Sequence, residues 1–199
     1  MQIKCVVFDL GGVIVDYTEQ EYYKMLSRKY NIPYKKIFNT FERLIKLGES
    51  GSILQEDLEK DARKLLNLHS DLMWVKAFTM FGKTDNNMVK LIRKMRKHYF
   101  IGLLTNINRS RYATATKYFI NKDDFDMRFV SCYIKMRKPD MGIYKYMVKK
   151  IGFAANEIIF IDNMPKNLVN ARKVGINCIL FKNYNQLVYE LKKYDLLIN

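Results

Sequence analysis

The chain has 199 residues, 49% hydrophobic and 28% charged, the balance of a globular protein with one sizeable core and room for a small inserted subdomain. No stretch approaches the roughly 20 apolar residues of a membrane-spanning helix, so no membrane partner is expected. The net charge of +15 admits an anionic partner, but the lysines are dispersed, as at Lys94-Met95-Arg96-Lys97, Lys149-Lys150 and Lys192-Lys193; they read as solvated helix faces, and no nucleic-acid module accompanies them.

The first element is an apolar run over 3–8 that ends in one acid and two glycines, Phe8-Asp9-Leu10-Gly11-Gly12. This is the pattern of a buried parallel strand delivering a carboxylate to the C-terminal edge of its sheet. The opening residues carry one early lysine, with no charged n-region or small-residue cleavage site. They read as strand and not as a signal peptide, and the cytoplasm is the expected compartment. Residues 17–84 show no strong strand; helical patterns fall near 18–30, 34–48, 53–67 and 70–81, too long for a single crossover and expected to form a helical cap. Tyr22, Tyr23, Tyr30, Tyr34, Phe38 and Phe41 suit packing between those helices. Residues 85–97 place Met88, Leu91, Ile92 and Met95 on one helical face. Further strand-like runs follow at 99–105, 128–134, 157–162 and 177–181. Between them lie helices over 140–151, with Asp140 as N-cap and Gly152 as stop, and over 164–174, with Asn163 as a possible N-cap, Pro165 in the first turn and Gly175 after the last. Strands alternating with helices imply an α/β fold with a parallel sheet, a Rossmann-like three-layer core formed by 1–16 and 85–199, with the all-helical cap over 17–84. Cys5, Cys132 and Cys178 each fall in a strand-like run, too far apart for a zinc pattern, and read as buried small hydrophobes. His69 and His98 sit at helix ends without a metal-ligand partner at useful spacing.

Four strand-end features line up in chain order. Asp9 comes first, then Thr105 and Asn106 in Gly102-Leu103-Leu104-Thr105-Asn106. Lys138 follows in Arg137-Lys138-Pro139-Asp140, and Asp162 with Asn163 ends Ile158-Ile159-Phe160-Ile161. A carboxylate, a hydroxyl, a lysine and a second acid suit a phosphate site with a metal. An aspartate can attack phosphorus. Mg²⁺ held by carboxylates and phosphate oxygens offsets the repulsion between the two anions. Thr105, backbone N–H groups and Lys138 can hold the phosphoryl oxygens.

This constellation resembles the haloacid dehalogenase-like hydrolase superfamily over nearly the whole chain. Phe8-Asp9-Leu10-Gly11-Gly12-Val13 matches its first motif, Leu104-Thr105-Asn106 the second, Lys138-Pro139-Asp140 the third, and Ile161-Asp162-Asn163 with Asn167 the fourth. The insertion after the first motif resembles the helical cap of one subfamily. The resemblance implies a mobile cap, Mg²⁺ and hydrolysis of a small phosphorylated metabolite. Asp9 would be nucleophile and first metal ligand, the Gly11 carbonyl a further metal contact, and Gly11, Gly12, Thr105, Asn106 and Lys138 phosphate contacts. Asp162 or Asn163 would complete the metal site. Gly11 stands where the family's phosphatases carry a second aspartate that moves protons, and Asn163 stands where they commonly carry a metal-binding acid. Asp16 and Tyr17 are the nearest protic side chains that could replace the first of these. Both departures keep open a second reading, a weak or inactive member that binds a phosphorylated ligand or a protein. The Tyr-Gly-Thr run that follows the nucleophile in haloacid dehalogenases proper is absent from the first motif. Nothing in the sequence sets the oligomeric state.

Overall fold

The computed structural model describes residues 2–17, 19–68 and 74–196. In chain order the elements are strands β1 (Cys5–Phe8) and β2 (Val15–Asp16), then helices α1 (Glu19–Tyr30), α2 (Tyr34–Glu49), α3 (Gln55–Leu66) and α4 (Trp74–Phe81). Strand β3 (Lys83–Thr84), helix α5 (Asn86–Met95), strand β4 (Phe100–Thr105), helix α6 (Arg109–Tyr118), strand β5 (Met127–Val130) and the short helix α7 (Ser131–Ile134) follow. The chain continues with α8 (Met141–Ile151), β6 (Ile158–Asp162), α9 (Pro165–Lys173), β7 (Asn177–Leu180) and α10 (Tyr184–Lys192). The five longer strands form one parallel sheet in the order β5-β4-β1-β6-β7.

Both faces of this sheet are covered, which is why its strands read as unbroken apolar runs. Val6 and Phe8 of β1 pack with Met88, Leu91, Ile92 and Met95 of α5 and with Leu187 and Leu191 of α10. Cys5 and Val7 face the other way, onto Ile143, Tyr144 and Met147 of α8 and Leu168 and Ala171 of α9. The expected three-layer α/β core is therefore present. Asp85 caps α5, accepting from Asn87 N–H at 2.9 Å, and Asn108 caps α6 through Arg111 N–H at 2.9 Å. Helices α1 to α4 share a separate apolar cluster built on Tyr22, Tyr23, Ile37, Phe41, Leu44 and Leu58. Tyr23 stacks on Phe41 with ring centroids 5.1 Å apart, while Tyr34 and Phe38 stack on each other at the surface. Antiparallel β2 and β3 pair Val15 with Thr84 and Asp16 with Lys83 where the helical excursion leaves and rejoins the sheet.

Several local expectations are corrected. The strand expected over 128–134 ends at Val130, and residues 131–134 turn into α7, placing Cys132 in a helix. Ser131 Oγ takes the Ile107 N–H at 3.0 Å, which diverts the chain from the sheet. Asp140 occupies the N-cap position of α8 without a side-chain cap bond. Asn163 does not cap α9: the helix begins at Pro165 with Met164 at its N-cap, and the Met164 N–H goes to Asp162 Oδ1 at 2.7 Å. Helix α6 lies outside the expected elements, and α10 is foreshadowed only by the helix face read at Lys192-Lys193. His98 is exposed after α5; His69 and residues 70–73 lie outside the described residues.

Candidate active site

Phe8 is in register with Leu103 of β4 and Ile161 of β6. Asp9, Thr105 and Asp162 therefore end three adjacent strands at one edge of the sheet, where ligands of open α/β folds bind. Beyond Asp9 the chain folds tightly. Leu10 C=O accepts from Ile14 and Val15 N–H, both at 2.9 Å, and Gly12 N–H donates to Val15 C=O at 2.8 Å. Gly12 takes a left-handed φ of +72°, which a side chain would resist.

Lys138 enters from the loop between α7 and α8 and lies between two carboxylates. Its Nζ is 2.9 Å from Asp9 Oδ1 and 2.5 Å from Asp162 Oδ2, and it stands 5.3 Å over the Phe160 ring. Burial works against this ammonium, but Asp9 and Asp162 outweigh it and raise its pKa. Burial pushes the Asp9 carboxyl up to about 7, against the pull of Lys138 and of the Leu10 N–H bonded to Oδ1 at 2.7 Å. No donor among the described residues reaches Asp9 Oδ2. Asn106 bonds the Lys138 backbone from both ends of its amide, Nδ2 to Lys138 C=O at 2.8 Å and Oδ1 from Lys138 N–H at 2.9 Å. Its side chain thus holds the lysine loop. Thr105 is buried beside Asp9, and no hydrogen bond among the described residues engages its hydroxyl.

Asp162 is fully buried and saturated with donors. Oδ1 takes Met164 N–H at 2.7 Å and Asn167 Nδ2 at 3.1 Å; Oδ2 takes Lys138 and, at 3.0 Å, the same Asn167 amide. Asn163 differs. Its Oδ1 is buried with no hydrogen-bond partner among the described residues, as is Asn167 Oδ1. A buried acceptor without a donor is costly unless a cation completes it. The Asn163 amide also lies against Gly12, where a Cβ would stand 2.1 Å from its Nδ2. Among the described residues no three His, Cys, Asp or Glu side chains converge. The donor set is all oxygen, the free Asp9 carboxylate oxygen and the orphaned Asn163 amide oxygen, and it fits a hard cation such as Mg²⁺.

Asp9, Gly11, Gly12, Thr105, Asn106, Lys138 and Asn163 all line one cavity of about 610 Å³. Asp162 stands behind Lys138, outside the lining. The far wall comes from α2, which presents Glu42, Ile45, Lys46 and Glu49, and from Tyr17, Glu19 and Phe78. Two ion pairs cross from this wall to the sheet side: Arg111 Nη1 to Glu19 Oε1 at 2.7 Å and Arg137 Nη2 to Glu49 Oε2 at 2.6 Å. Arg111 also donates to Tyr17 Oη at 3.1 Å and lies 5.2 Å over its ring. Burial pushes the Tyr17 hydroxyl up to about 12, although Arg111 opposes it. Sequence reasoning did not anticipate Arg111, Arg137, Glu19 or Glu49. Only the place of Arg137 next to Lys138 could have pointed to one of them.

The family profile of haloacid dehalogenase-like hydrolases matches residues 3–175. A sesquiterpene phosphatase of Aspergillus oryzae is 26% identical over 180 residues, covering 87% of each chain. A D-ribitol-5-phosphate phosphatase of Bacteroides thetaiotaomicron is 25% identical, covering 87% of this chain and 89% of its own. Among solved structures, a haloacid dehalogenase family enzyme of Bacteroides thetaiotaomicron superimposes with a TM-score of 0.82 at 23% identity, over 94% of this chain and 99% of its own. The same enzyme in complex with magnesium and inorganic phosphate gives 0.79 at 23% identity, over 93% and 98%. With the profile spanning most of its length, and a parallel sheet that carries the family's motifs to one edge, this chain belongs to the haloacid dehalogenase-like hydrolases.

Proposed function

We propose that the protein hydrolyses small phosphate monoesters with Mg²⁺, through an aspartyl-phosphate formed on Asp9. The observation that carries this reading is the environment of Asp9: a buried carboxylate with one oxygen tied to Lys138 and Leu10 N–H and the other free toward the cavity. The free Oδ2 attacks phosphorus and the ester oxygen leaves with its electron pair. Water then attacks the same phosphorus, releasing phosphate and restoring the carboxylate. Lys138 favours the ionised form of Asp9 against its burial and neutralises the phosphoryl oxygens, and the Thr105 hydroxyl is available to donate to one of them. Bound Mg²⁺ would offset repulsion between carboxylate and phosphate. Asp9 and Asn163 would hold it, with the Gly11 carbonyl, while Asp162, already saturated, fixes Lys138.

Gly11 supplies no proton to the leaving alcohol. Tyr17 is tied to Arg111 and its hydroxyl is a weak acid. Asp16 lines the cavity without a cationic partner among the described residues and is the better placed of the two. Helices α1, α2 and α4, which bring Glu19, Glu42, Glu49 and Phe78 to its wall, serve as the lid over this cavity. Relatives named as phosphatases of ribitol 5-phosphate and glyceraldehyde 3-phosphate support a small phosphorylated metabolite as substrate. No helix among the described residues is long and apolar enough to cross a membrane. The setting we assign is the cytoplasm, which suits three unpaired cysteines.

The test is release of p-nitrophenol from p-nitrophenyl phosphate, with Mg²⁺ and with chelator, beside Asp9→Asn. This leaving group needs little protonation, so the assay tolerates Gly11. Metal-dependent turnover that vanishes in the variant supports the reading. A folded, Mg²⁺-binding wild type without turnover favours a ligand-binding member of the family instead.

A further inference from the structure

Tyr144 on α8 is fully buried, 23 residues before Asn167 in the chain, and supports the site by two routes. Its hydroxyl donates to Asn167 C=O at 2.5 Å, in the first turn of α9. From the same residue, Asn167 Nδ2 holds both oxygens of Asp162 at 3.1 and 3.0 Å, and Asp162 Oδ2 holds Lys138 Nζ at 2.5 Å. The second route is the ring. Tyr144 lies against Phe160 with centroids 6.0 Å apart, and the Lys138 ammonium stands over Phe160 at 5.3 Å. The Lys138 ammonium therefore has three contacts among the described residues: Asp9, Asp162 and the Phe160 ring face. Two of the three are backed by Tyr144.

Packing alone asks only for the ring, since a phenylalanine would fill nearly the same volume. A buried hydroxyl is tolerated when it is bonded, and here its single bond falls on the residue that clamps Asp162. We propose that Tyr144 is a positioning residue for the reaction, setting Lys138 against Asp9 through Asn167 and Asp162 on one side and through Phe160 on the other. It touches neither substrate nor reacting atoms. Without the hydroxyl the first turn of α9 loses a tether, the Asp162 clamp loosens, and the ammonium no longer has one position between the two carboxylates. In the rate measurement this inference rests on the phosphatase reading; in the spectroscopic one it does not.

The experiment is Tyr144→Phe in the full chain, read in two ways. With p-nitrophenyl phosphate and saturating Mg²⁺, kcat is expected to fall about tenfold, equivalent to about 1.4 kcal/mol, with KM little changed. In the metal-free protein, the ¹⁵Nζ resonance of the Lys138 ammonium is expected to shift or broaden. A variant with a lower melting temperature but unchanged kcat and an unchanged Lys138 resonance would show that the hydroxyl serves stability alone, and would overturn the proposal. If the wild type turns over no phosphate ester, the phosphatase reading fails, and the resonance alone decides: a shift supports the positioning role and no shift overturns it. Should Tyr144→Phe not fold, Asn167→Ala cuts the same line one link nearer to Asp162, and the same readouts apply.

Discussion

Two adjacent glycines in the loop after Asp9 respond in opposite ways to one added methyl group. Gly12 has φ +72°, and a Cβ there would lie 2.1 Å from Asn163 Nδ2 and 2.8 Å from its Cγ. The left-handed backbone costs an L residue about 1–2 kcal/mol, and forcing a contact of this kind costs about 1–3 kcal/mol more. The lower entropy of the unfolded alanine chain offsets about 0.4–1 kcal/mol of that. Gly12→Ala should therefore destabilise by about 1–5 kcal/mol, or roughly 2–20 °C in Tm for a chain of this size. Gly11 has no left-handed φ, and a Cβ there meets nothing within 4 Å, so Gly11→Ala should be neutral or slightly stabilising. Urea unfolding of both variants without Mg²⁺ measures the difference. In the same variants, calorimetric titration with Mg²⁺ should show binding weakened in Gly12→Ala, because Asn163 must turn away. Equal shifts for both glycines, or a Gly12→Ala change within about 0.5 kcal/mol, would refute the argument that Gly12 exists to seat Asn163.

Three further outcomes follow from the same geometry. Asn163→Asp adds a full charge to the cavity that Asp9 also lines and should tighten Mg²⁺ binding by about tenfold or more, read by calorimetry; unchanged affinity would place the ion elsewhere. In the metal-free protein, burial raises the Asp9 pKa from 3.8 to about 7, so between these values the folded state keeps a proton that the unfolded chain has released. This group's contribution to stability is full below about pH 4 and is lost as pH rises through 7. Asp9→Asn should gain stability relative to the wild type across that window, and parallel pH–stability curves would contradict the assignment. The Glu49–Arg137 pair is partly buried, with side chains 18% and 27% exposed. A double-mutant cycle with Glu49→Gln and Arg137→Met should give a coupling of about 1–2 kcal/mol, whereas additive effects would show that the pair does not fasten α2 to the sheet.

The sheet is legible in the sequence because its strands are buried on both faces, so Cys5-Val6-Val7-Phe8 and Ile158-Ile159-Phe160-Ile161 stand out as continuous apolar runs. The strand ends are legible for the same reason: Asp9, Thr105 and Asp162 are the first polar residues after such runs. Helix α6 is not legible. Its Arg-Ser-Arg-Tyr-Ala-Thr-Ala-Thr-Lys-Tyr sequence buries only Arg111, Tyr112 and Ala115, which leaves no apolar stripe to read. The far wall of the cavity is hidden for another reason. Arg111 meets Glu19 across 92 residues of chain and Arg137 meets Glu49 across 88, pairings that depend on how α1 and α2 return to the sheet. Asn163 is legible by position but not by role, since its side chain is placed by Gly12, far away in the chain. Asn106 is read from sequence as a phosphate contact, yet its amide is engaged with the Lys138 backbone. A loop conformation and not a residue pattern decides that.

The central claim is that Asp9 carries the phosphoryl group during turnover. The most direct measurement is mass spectrometry of protein quenched in acid while it turns over p-nitrophenyl phosphate with Mg²⁺, with the adduct mapped by peptide. The account predicts one phosphoryl group on the peptide that contains Asp9, absent with chelator and absent in Asp9→Asn. Steady turnover with the label on another residue, or turnover that survives Asp9→Asn, would contradict it.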